Sequence, residues 1–506
     1  MATLSTTHLL TQFSHQHPTI KVVIPAEEGD NAEGSAATAF RELTEATYFA
    51  PASHPAAAAN PPLGFAQPRS AAEVRQIVAW AAAVNAGQAA GARMPLSVRV
   101  GGHEPWKRST PRGALVLDLR GLREVEIEGS SAGHEGGTGG DGVLPPPAVA
   151  KVGGGVLTGD LVARLAELGY ATPTAASTSV GYVGWATLGG YSGMASVMGM
   201  GVDQIVGATV VTADGGMVQV NEDDEMMFGI RGGGGNVGVI VELRIRVYAV
   251  QKYLAGNIVY DSSNMSQTIK NFFTGYTALI EQEGMPAGFS GQLVFAKIPK
   301  LGRSLVFTFL WLSHDQSGAA AQIARLKSLP GLHAVADTIA EHKPHEWIAM
   351  SSKMVAVGVH GGTKAVNVPS LADDTLIDVI ARSMTTMPDL PETALTIQQY
   401  WPTASEKAVR QSCFAPRRAH FMILAIGASL DPTRGDEARD WAFELCAQLR
   451  SRGVALKGGY VAQTMPGDVP IEECFDGEDW KRLTVLKRKY DRNGAWQYAV
   501  PQMGRL

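Results

Sequence analysis

The segment LSVRVGGH, residues 96–103, runs an alternating apolar stretch directly into two glycines and a histidine. A second apolar segment, ALVLDL at residues 114–119, follows after a short polar interval. Apolar runs bounded by glycine are typical of β-strands, and glycine lets a backbone approach another group closely because it has no Cβ. The sequence therefore predicts a strand, a glycine loop that carries His103, and a second strand.

Three further glycine-rich loops lie between predicted strands, at residues 153–155, 181–193 and 232–238. Loops of this kind bring backbone N–H groups close to an anionic ligand such as a diphosphate. One extended cofactor can use all four loops. The alternative is that they are only tight turns in a chain with 57 glycines among 506 residues, and patterning alone leaves both interpretations open.

Three other motifs lack the context that their chemistry needs. The G-x-G-x-x-G pattern at residues 233–238 is followed by VIVELRIRV, residues 239–247, which has the periodicity of a strand rather than the helix of a dinucleotide site. GYSGM, residues 190–194, lacks the last glycine of a hydrolase nucleophile elbow. In HKPH, residues 342–345, the proline disfavours a helix that turns both imidazoles to one face, so we predict no metal site.

Composition narrows the classes of function. The net charge of -5 and the pI near 6.2 give no basic excess, so a nucleic-acid partner is not expected. No apolar run is long enough for a signal peptide or a membrane span, so we expect a soluble, intracellular protein without a membrane partner. The cysteines, Cys413, Cys446 and Cys474, are few and odd in number. That favours core thiols over a disulfide framework.

The chain is long enough for two domains, and its character changes near Val250. Residues 1–65 show little periodicity, so we expect the catalytic fold to begin near Pro68, after a poorly determined lead-in. SAAE, residues 70–73, has the spacing of a helix capping box. Seven glycines between Gly129 and Gly142 predict a mobile surface insertion.

Several stretches form a larger pattern when they are read in order. They are VRVGGH at 98–103 with LVLDL at 115–119, VGYVG at 180–184 with LGGY at 188–191, GVDQIV at 201–206 with VVTADG at 210–215, RGGGGNVG at 231–238, FAPRR at 414–418 and LTVLKRKYDRN at 483–493. This pattern resembles the berberine bridge enzyme-like FAD-linked oxidases of the vanillyl-alcohol oxidase, or p-cresol methylhydroxylase (PCMH), superfamily. The last two stretches are similar to the Phe-Pro-His-Arg and Tyr-Asp-Pro-x-Asn elements of that family.

The resemblance implies an α+β fold in which the N-terminal half and the C-terminal tail form a PCMH-type FAD-binding domain. Between them it implies an α+β substrate domain with an antiparallel sheet over the flavin. The expected division is a lead-in at 1–65, the FAD-binding domain at 66–250, the substrate-binding domain at 251–455 and a C-terminal return to the FAD domain at 456–506.

The resemblance also implies the cofactor, FAD, bound covalently. The histidine of the first loop, here His103, is joined to the 8-methyl carbon of the flavin in the family. The other residues carried over as cofactor-binding are Arg99, Val100, Gly101, Gly102, Glu104, Ser177, Thr178, Val180, Gly181, Gly184, Gly189, Gly190, Asp203, Gly238, Ile240 and Asn493.

Two positions depart from the family pattern. Many members hold the flavin by a second bond from a cysteine, and Ser177 stands at that position here, so a single histidyl link is expected. Doubly linked relatives tend to have open sites for oligosaccharides, so the serine favours a smaller substrate. In Tyr460-Val-Ala-Gln463, Ala462 stands where relatives have the asparagine of Tyr-x-Asn, which removes a polar contact.

The activity implied is oxidation of an alcohol or amine of a small molecule, with hydride transfer to flavin and reduction of dioxygen to hydrogen peroxide. The candidates for the catalytic base are Tyr460 and Tyr400; Gln411 stands where berberine bridge enzyme has a glutamate, and an amide cannot act as a base. Val180 favours an oxidase over a dehydrogenase by the same resemblance. Three alternatives stay open: a dehydrogenase or oxidative cyclase of secondary metabolism, an oligosaccharide oxidase, and a flavin-binding protein without turnover.

Overall fold

The computed structural model describes residues 6–25, 35–50, 61–129, 144, 146–401, 411–464 and 467–503. The predicted glycine insertion lies outside the described residues from position 130 to 143. Among the residues that are described, no helix is both long and apolar enough to cross a membrane.

The first sheet of the FAD-binding half has four strands in the order β1-β2-β4-β3, and both β2 and β3 pair with β4 in parallel. The strands are β1 (Lys21–Val23), β2 (Gly64–Gln67), β3 (Leu96–Arg99) and β4 (Leu115–Asp118). The helices beside it are α1 (Thr6–Gln16), α2 (Ser35–Glu45) and α3 (Ala71–Asn85). The predicted strand, glycine loop and strand are therefore confirmed, and His103 lies in the loop between β3 and β4.

The fold begins earlier than the sequence pattern indicates. Strand β1 pairs antiparallel with β2, and Leu10 and Phe13 of α1 are fully buried in the same core as Val74 and Ile77 of α3. The apolar positions in this stretch are too widely spaced for a clear period. Burial against the sheet, rather than local propensity, therefore orders the segment.

Helix α3 begins as the capping box predicts. The Ser70 hydroxyl accepts a hydrogen bond from the backbone N–H of Glu73 (3.2 Å). The Glu73 carboxylate in turn accepts one from the backbone N–H of Arg69 (2.6 Å). These contacts satisfy N–H groups that a helix start leaves without partners.

The second sheet of the FAD-binding half has five antiparallel strands in the order β5-β6-β9-β7-β8. They are β5 (Val125–Ile127), β6 (Ala148–Gly153), β7 (Ile205–Val211), β8 (Met217–Asn221) and β9 (Val239–Val247). The helices of this part are α4 (Thr158–Glu167), α5 (Tyr182–Thr187), α6 (Ala195–Met198), α7 (Gly201–Gln204) and α8 (Glu225–Gly233). Strand β9 follows the glycines at 233–238, so the strand that the periodicity of residues 239–247 predicts is confirmed.

The intervening domain is built on an eight-stranded sheet whose pairings are all antiparallel. Its strands are β10 (Tyr253–Tyr260), β11 (Phe289–Ile298), β12 (Gly302–Trp311), β13 (Ala334–Asp337), β14 (Ala340–His342), β15 (His360–Val368), β16 (Ala394–Tyr400) and β17 (His420–Ser429). Its helices are α9 (Met265–Glu283), α10 (Gln316–Lys327), α11 (Pro344–Ser352), α12 (Asp374–Thr386) and α13 (Gly435–Ser451). One sheet face and four of these helices, α9, α10, α12 and α13, share a large apolar core.

The C-terminal segment returns to the FAD-binding half. Helix α14 (Gly477–Tyr490) buries Leu483 and Leu486 in the core of the second sheet. Farther along, the backbone carbonyl of Ala495 accepts a hydrogen bond from the N–H of Leu96, at the start of β3 (3.0 Å). The architecture is thus the PCMH-type FAD-binding fold that the sequence predicts.

Candidate flavin site

His103 lies where the loop after β3 meets the loop that precedes α5. Its Nε2 is hydrogen-bonded to the hydroxyl of Ser179 (2.7 Å), and that hydroxyl is also within 3.1 Å of the Ser177 hydroxyl. On the other side, the ring of Tyr48 stacks on the imidazole, with 4.9 Å between centroids and 18° between planes. The imidazole is therefore fixed between a serine pair and an aromatic ring.

Glycine is required where these two loops touch. A Cβ on Gly101 would stand 2.3 Å from the backbone oxygen of Ser179, and a Cβ on Gly181 would stand 2.8 Å from the Cβ of Val100. The loops thus pack backbone against backbone, which no larger residue permits. This contact brings His103 and Ser179 together.

The environment of His103 sets its protonation state. Burial lowers its pKa to about 4, because the charged form loses hydration. The imidazole is therefore neutral at physiological pH, and one ring nitrogen holds a free electron pair. Within the described residues its Nδ1 has no hydrogen-bond partner.

The N-terminal lead-in forms part of the site, which the sequence pattern misses. The backbone N–H of Tyr48 donates to the carbonyl of Gly102 (3.0 Å), and the carbonyl of Tyr48 accepts from the N–H of Gly358 in the substrate domain (2.8 Å). The Lys107 ammonium donates to the carbonyl of Phe49 (2.8 Å). The one sequence signal was the Tyr48–Phe49 aromatic pair in an otherwise small and polar stretch.

A second cluster lies between the loop after α5 and the substrate-domain sheet. The Nδ1 of His420 is hydrogen-bonded to the carbonyl of Arg418 (2.7 Å), which can only accept, so Nδ1 carries the proton. Nε2 then accepts a hydrogen bond from the hydroxyl of Tyr191 (2.5 Å). The rings of Tyr400 and Tyr460 lie beside this pair, 5.2 Å from His420 and 4.8 Å from Tyr191 respectively.

Burial also sets the protonation of this cluster. It raises the pKa of Tyr191 and of Tyr460 above the ordinary tyrosine value, and it lowers the pKa of His420 to about 4. The guanidinium of Arg417, beside the cluster, is ion-paired with Asp203 and hydrogen-bonds Tyr400. At neutral pH the unprotonated nitrogen of this cluster is therefore Nε2 of His420.

The two predicted base tyrosines come together in this cluster, although the sequence separates them widely. Gln411 faces helix α14 instead, where its side-chain oxygen accepts a hydrogen bond from Arg482 (2.6 Å). Tyr191 and His420 were missed by sequence reasoning. Their positions are 229 apart, and each has the local pattern of an ordinary core residue.

The predicted cofactor-binding residues fall into two groups. The first group lies in the His103 loop or in the loop that contacts it and the start of α5: Val100, Gly101, Gly102, Glu104, Ser177, Thr178, Val180, Gly181 and Gly184. Within this group the Glu104 carboxylate braces its own loop by binding Arg108 (2.7 Å), and Thr178 binds Ser352 of α11 (2.9 Å). Gly184 is open, since a Cβ there would meet nothing within 4 Å.

The second group lies away from His103. Gly189, Gly190 and Asp203 pack around the tyrosine cluster, where Gly189 gives room to the ring of Phe414. Arg99 is buried and donates to backbone carbonyls of the lead-in. Gly238 and Ile240 belong to β9 and its entry. Asn493 is exposed, and its backbone carbonyl accepts a hydrogen bond from Arg93, which precedes β3 (3.1 Å). The structure therefore does not bring Asn493 to the His103 loop.

The two loops that meet at His103, with the start of α5, fit a flavin dinucleotide. Two glycine loops present their backbones at one place, and Gly184 beside them leaves open space. The hydroxyl of Thr158, next to Val180, is buried without a hydrogen-bond partner among the described residues. The neutral imidazole of His103, beside these loops, supplies a nucleophilic nitrogen. This set of groups suits a large polar ligand that is held by backbone contacts.

In the part of the chain that the structure describes, no group of three or more His, Cys, Asp or Glu side chains is placed to hold a metal. The three cysteines are free and buried, as expected for core thiols.

Comparison with known proteins agrees with this picture. Residues 62–221 match an FAD binding domain. The FAD-linked oxidoreductase aurO of Gibberella zeae is 27% identical over 438 residues, which are 86% of this chain and 80% of that protein. The (R)-6-hydroxynicotine oxidase of Paenarthrobacter nicotinovorans is 29% identical over 418 residues, which are 80% of this chain and 85% of that enzyme.

The solved structures agree on the fold. Glucooligosaccharide oxidase from Acremonium strictum superimposes with a TM-score of 0.76 at 16% identity, covering 98% of this chain and 99% of that chain. At this identity the likeness supports the fold alone, whereas the domain match and the two relatives support the chemistry. The chain therefore has the PCMH-type FAD-binding fold and is an FAD-linked oxidoreductase.

Proposed function

We propose that the protein is an oxidase whose FAD is linked covalently to His103 alone, and that it oxidises an alcohol or amine group of a small organic molecule. The observation that carries the covalent link is the state of His103, which is neutral, bound through Nε2 to Ser179, and unpartnered at Nδ1 within the described residues. A neutral imidazole held in one orientation is a nucleophile that can form one carbon–nitrogen bond.

Bound FAD supplies the redox chemistry, accepting a hydride from the substrate carbon and passing two electrons to dioxygen, which leaves as hydrogen peroxide. The protein must remove one proton from the substrate oxygen or nitrogen, so that the product is a carbonyl or an imine. The protein must also orient the substrate against the flavin and exclude water from the site.

For the proton we propose His420 as the acceptor, reached through the hydroxyl of Tyr191. The hydroxyl passes its proton to Nε2 as it takes one from the substrate, so Tyr191 does not become a tyrosinate and His420 ends the step as an imidazolium. Tyr400 and Tyr460 stay in the proposal as groups that line the site. Burial raises the pKa of Tyr460, which opposes the charged form that a tyrosine base requires.

The single link follows from the absence of a thiol at Ser177. Glucooligosaccharide oxidase from A. strictum carries a 6-S-cysteinyl, 8α-N1-histidyl FAD. Here the position predicted for the cysteine is a serine bound to Ser179, and the cysteines of this chain are buried elsewhere. The relative named for a small molecule, (R)-6-hydroxynicotine oxidase, supports a small substrate.

The experiment is a substrate panel of alcohols, amines, sugars and hydroxylated aromatics, with two readouts. An oxidase bleaches the flavin when a substrate is added without oxygen, and releases one peroxide per substrate oxidised when oxygen is present. Bleaching without peroxide supports the dehydrogenase or cyclase alternative. If no member of the panel bleaches the flavin, the result supports a flavin-binding protein without turnover.

A further inference from the structure

The substrate-domain sheet has two chemically different faces. Because side chains alternate along a strand, residues such as Phe307 and Ile397 face the helices and form the apolar core. The alternate set faces the FAD-binding half. Two contacts fix this orientation: Tyr400 and Met422 pack against Tyr191, and the Cβ position of Gly193 lies 3.5 Å from Leu310.

A row of neutral polar side chains crosses that second face. Paired positions on neighbouring strands join β10, β12, β11, β16, β17 and β15 in turn. The residues of the row are, in spatial order, Asn257, Thr308, Gln292, Gln398, Met422 and Asn367. All but one carry an amide or a hydroxyl group, which is unusual for the middle of a large sheet.

Several polar atoms on this face are buried and have no hydrogen-bond partner among the residues that the structure describes. They are the hydroxyls of Ser290 and Thr396 and the side-chain oxygens of Gln398 and Asn367. The Asn367 side chain also hydrogen-bonds Tyr191, so the face continues into the proton-accepting pair. A buried polar atom without a partner destabilises the fold, because it has lost its hydrogen bonds to water. Four on one face are unlike the satisfied interior of an ordinary sheet.

Among the described strand residues, this face carries no carboxylate, ammonium or guanidinium group, and Arg417, which hydrogen-bonds Tyr400 at its margin, is already ion-paired with Asp203. The charged residues of the central strands have the opposite parity, as Lys297, Arg303 and Lys364 show. A charged ligand on this face would lose its hydration and find no opposite charge, which is costly. A neutral ligand with hydroxyl or N–H donors would satisfy the orphan oxygens.

We propose that this face is the substrate-recognition surface and that it selects an uncharged molecule presenting hydroxyl or N–H donors, excluding carboxylated and phosphorylated compounds. The proposal rests on the proposed function in one respect, that the substrate meets the flavin from this side. Gln398, Asn367 and Thr396 hold the donor groups. They thereby set the orientation in which the reacting carbon meets the flavin.

The first test needs no ligand and compares two isosteric variants of one strand region. The Thr396 hydroxyl has no partner, whereas the Thr393 hydroxyl donates to the carbonyl of Ala428 (2.7 Å) and accepts from its N–H (3.2 Å). We expect Thr396→Val to raise the urea midpoint of the purified flavoprotein and Thr393→Val to lower it. A lower midpoint for Thr396→Val means a structural role for that hydroxyl, and overturns the proposal.

The second test titrates the same proteins with two probes, 3-hydroxybenzyl alcohol and 3-hydroxybenzoate, and follows the flavin absorbance spectrum. We expect the alcohol to bind at least about tenfold more tightly than the anion. Thr396→Val should weaken alcohol binding about two- to tenfold, as loss of one hydrogen bond predicts, while Thr393→Val leaves it unchanged. Equal binding of the two probes overturns the proposal.

Failure here is distinguishable from failure of the proposed function. If the panel yields no peroxide and no bleaching, the oxidase is refuted, yet the midpoints of the two threonine variants still report on the face. If neither probe changes the flavin absorbance spectrum, the urea midpoints of the two threonine variants alone decide whether the proposal stands. If the panel finds a carboxylate or phosphate ester turned over in preference to neutral molecules, the oxidase stands and the recognition surface is refuted.

Discussion

The contact between the two flavin-site loops makes a quantitative prediction for Gly101→Ala. The new Cβ would stand 2.3 Å from the Ser179 oxygen and 2.5 Å from the nitrogen of Gly181, whereas ordinary contact begins at 3.4 Å. One loop must therefore retreat by about 1 Å, and overpacking of this kind costs about 1–3 kcal/mol. The same retreat pulls Ser179 away from His103 and loosens the imidazole.

The assay follows covalent flavin and stability together. We expect Gly101→Ala to lose most of the flavin that stays with acid-denatured protein, and to unfold at a lower urea concentration. Gly477→Ala is the matched control, since a Cβ there meets nothing within 4 Å and helix α14 favours alanine over glycine. If Gly101→Ala keeps wild-type flavin retention and stability, the loop contact does not position His103, and the reasoning is refuted.

Three further predictions follow from the site. Because neutral His420 is the acceptor and its pKa is about 4, kcat/KM should stay level down to about pH 5 and fall as pH drops through 4. His420→Gln should lower kcat by about 10²–10⁴-fold; an acid limb centred near 6.5 contradicts the assignment. Tyr48→Ala should reduce covalent flavin, while Tyr48→Phe keeps it, because stacking rather than the hydroxyl holds the ring; equal loss in both variants argues otherwise. Ser177→Cys should restore some covalent flavin to the His103→Ala protein, measured as colour in the denatured pellet; a colourless pellet shows that residue 177 lies out of reach of the flavin.

Local sequence was enough to predict the elements that carry their own signals. The glycine loop after β3, the capped helix α3 and strand β9 each depend on residues that are close together in the chain. Their structures follow from backbone freedom, capping and alternation. The same holds for the fold class, because the ordered glycine motifs together specify one family.

What the sequence could not show are contacts between distant segments. The hydrogen bond between Tyr191 and His420 joins positions 229 apart, and nothing near either residue indicates the other. Tyr48 reaches His103 only because β1 draws the lead-in onto the first sheet. Apolar residues too sparse to form a period can still be ordered by tertiary burial.

The unpartnered oxygens on the substrate-domain sheet are a second feature that the sequence alone could not predict. Nothing in the local sequence distinguishes Thr396 and Gln398 from other residues of the strand. Only the register of β16 with β11 and β17 places them on the face toward the FAD-binding half. Whether a hydroxyl finds a partner is a three-dimensional property. Thr393, nearby in sequence, is fully satisfied by Ala428.

The claim that FAD is linked through His103 alone is tested most directly on the peptide that carries this residue. Trypsin should release residues 100–107, VGGHEPWK, from acid-denatured protein. We expect this peptide to carry the mass of the flavin and no other peptide to carry it, and we expect the His103→Ala protein to release all of its flavin on denaturation. Flavin in the supernatant of the wild-type protein, or attached to any other residue, would contradict it.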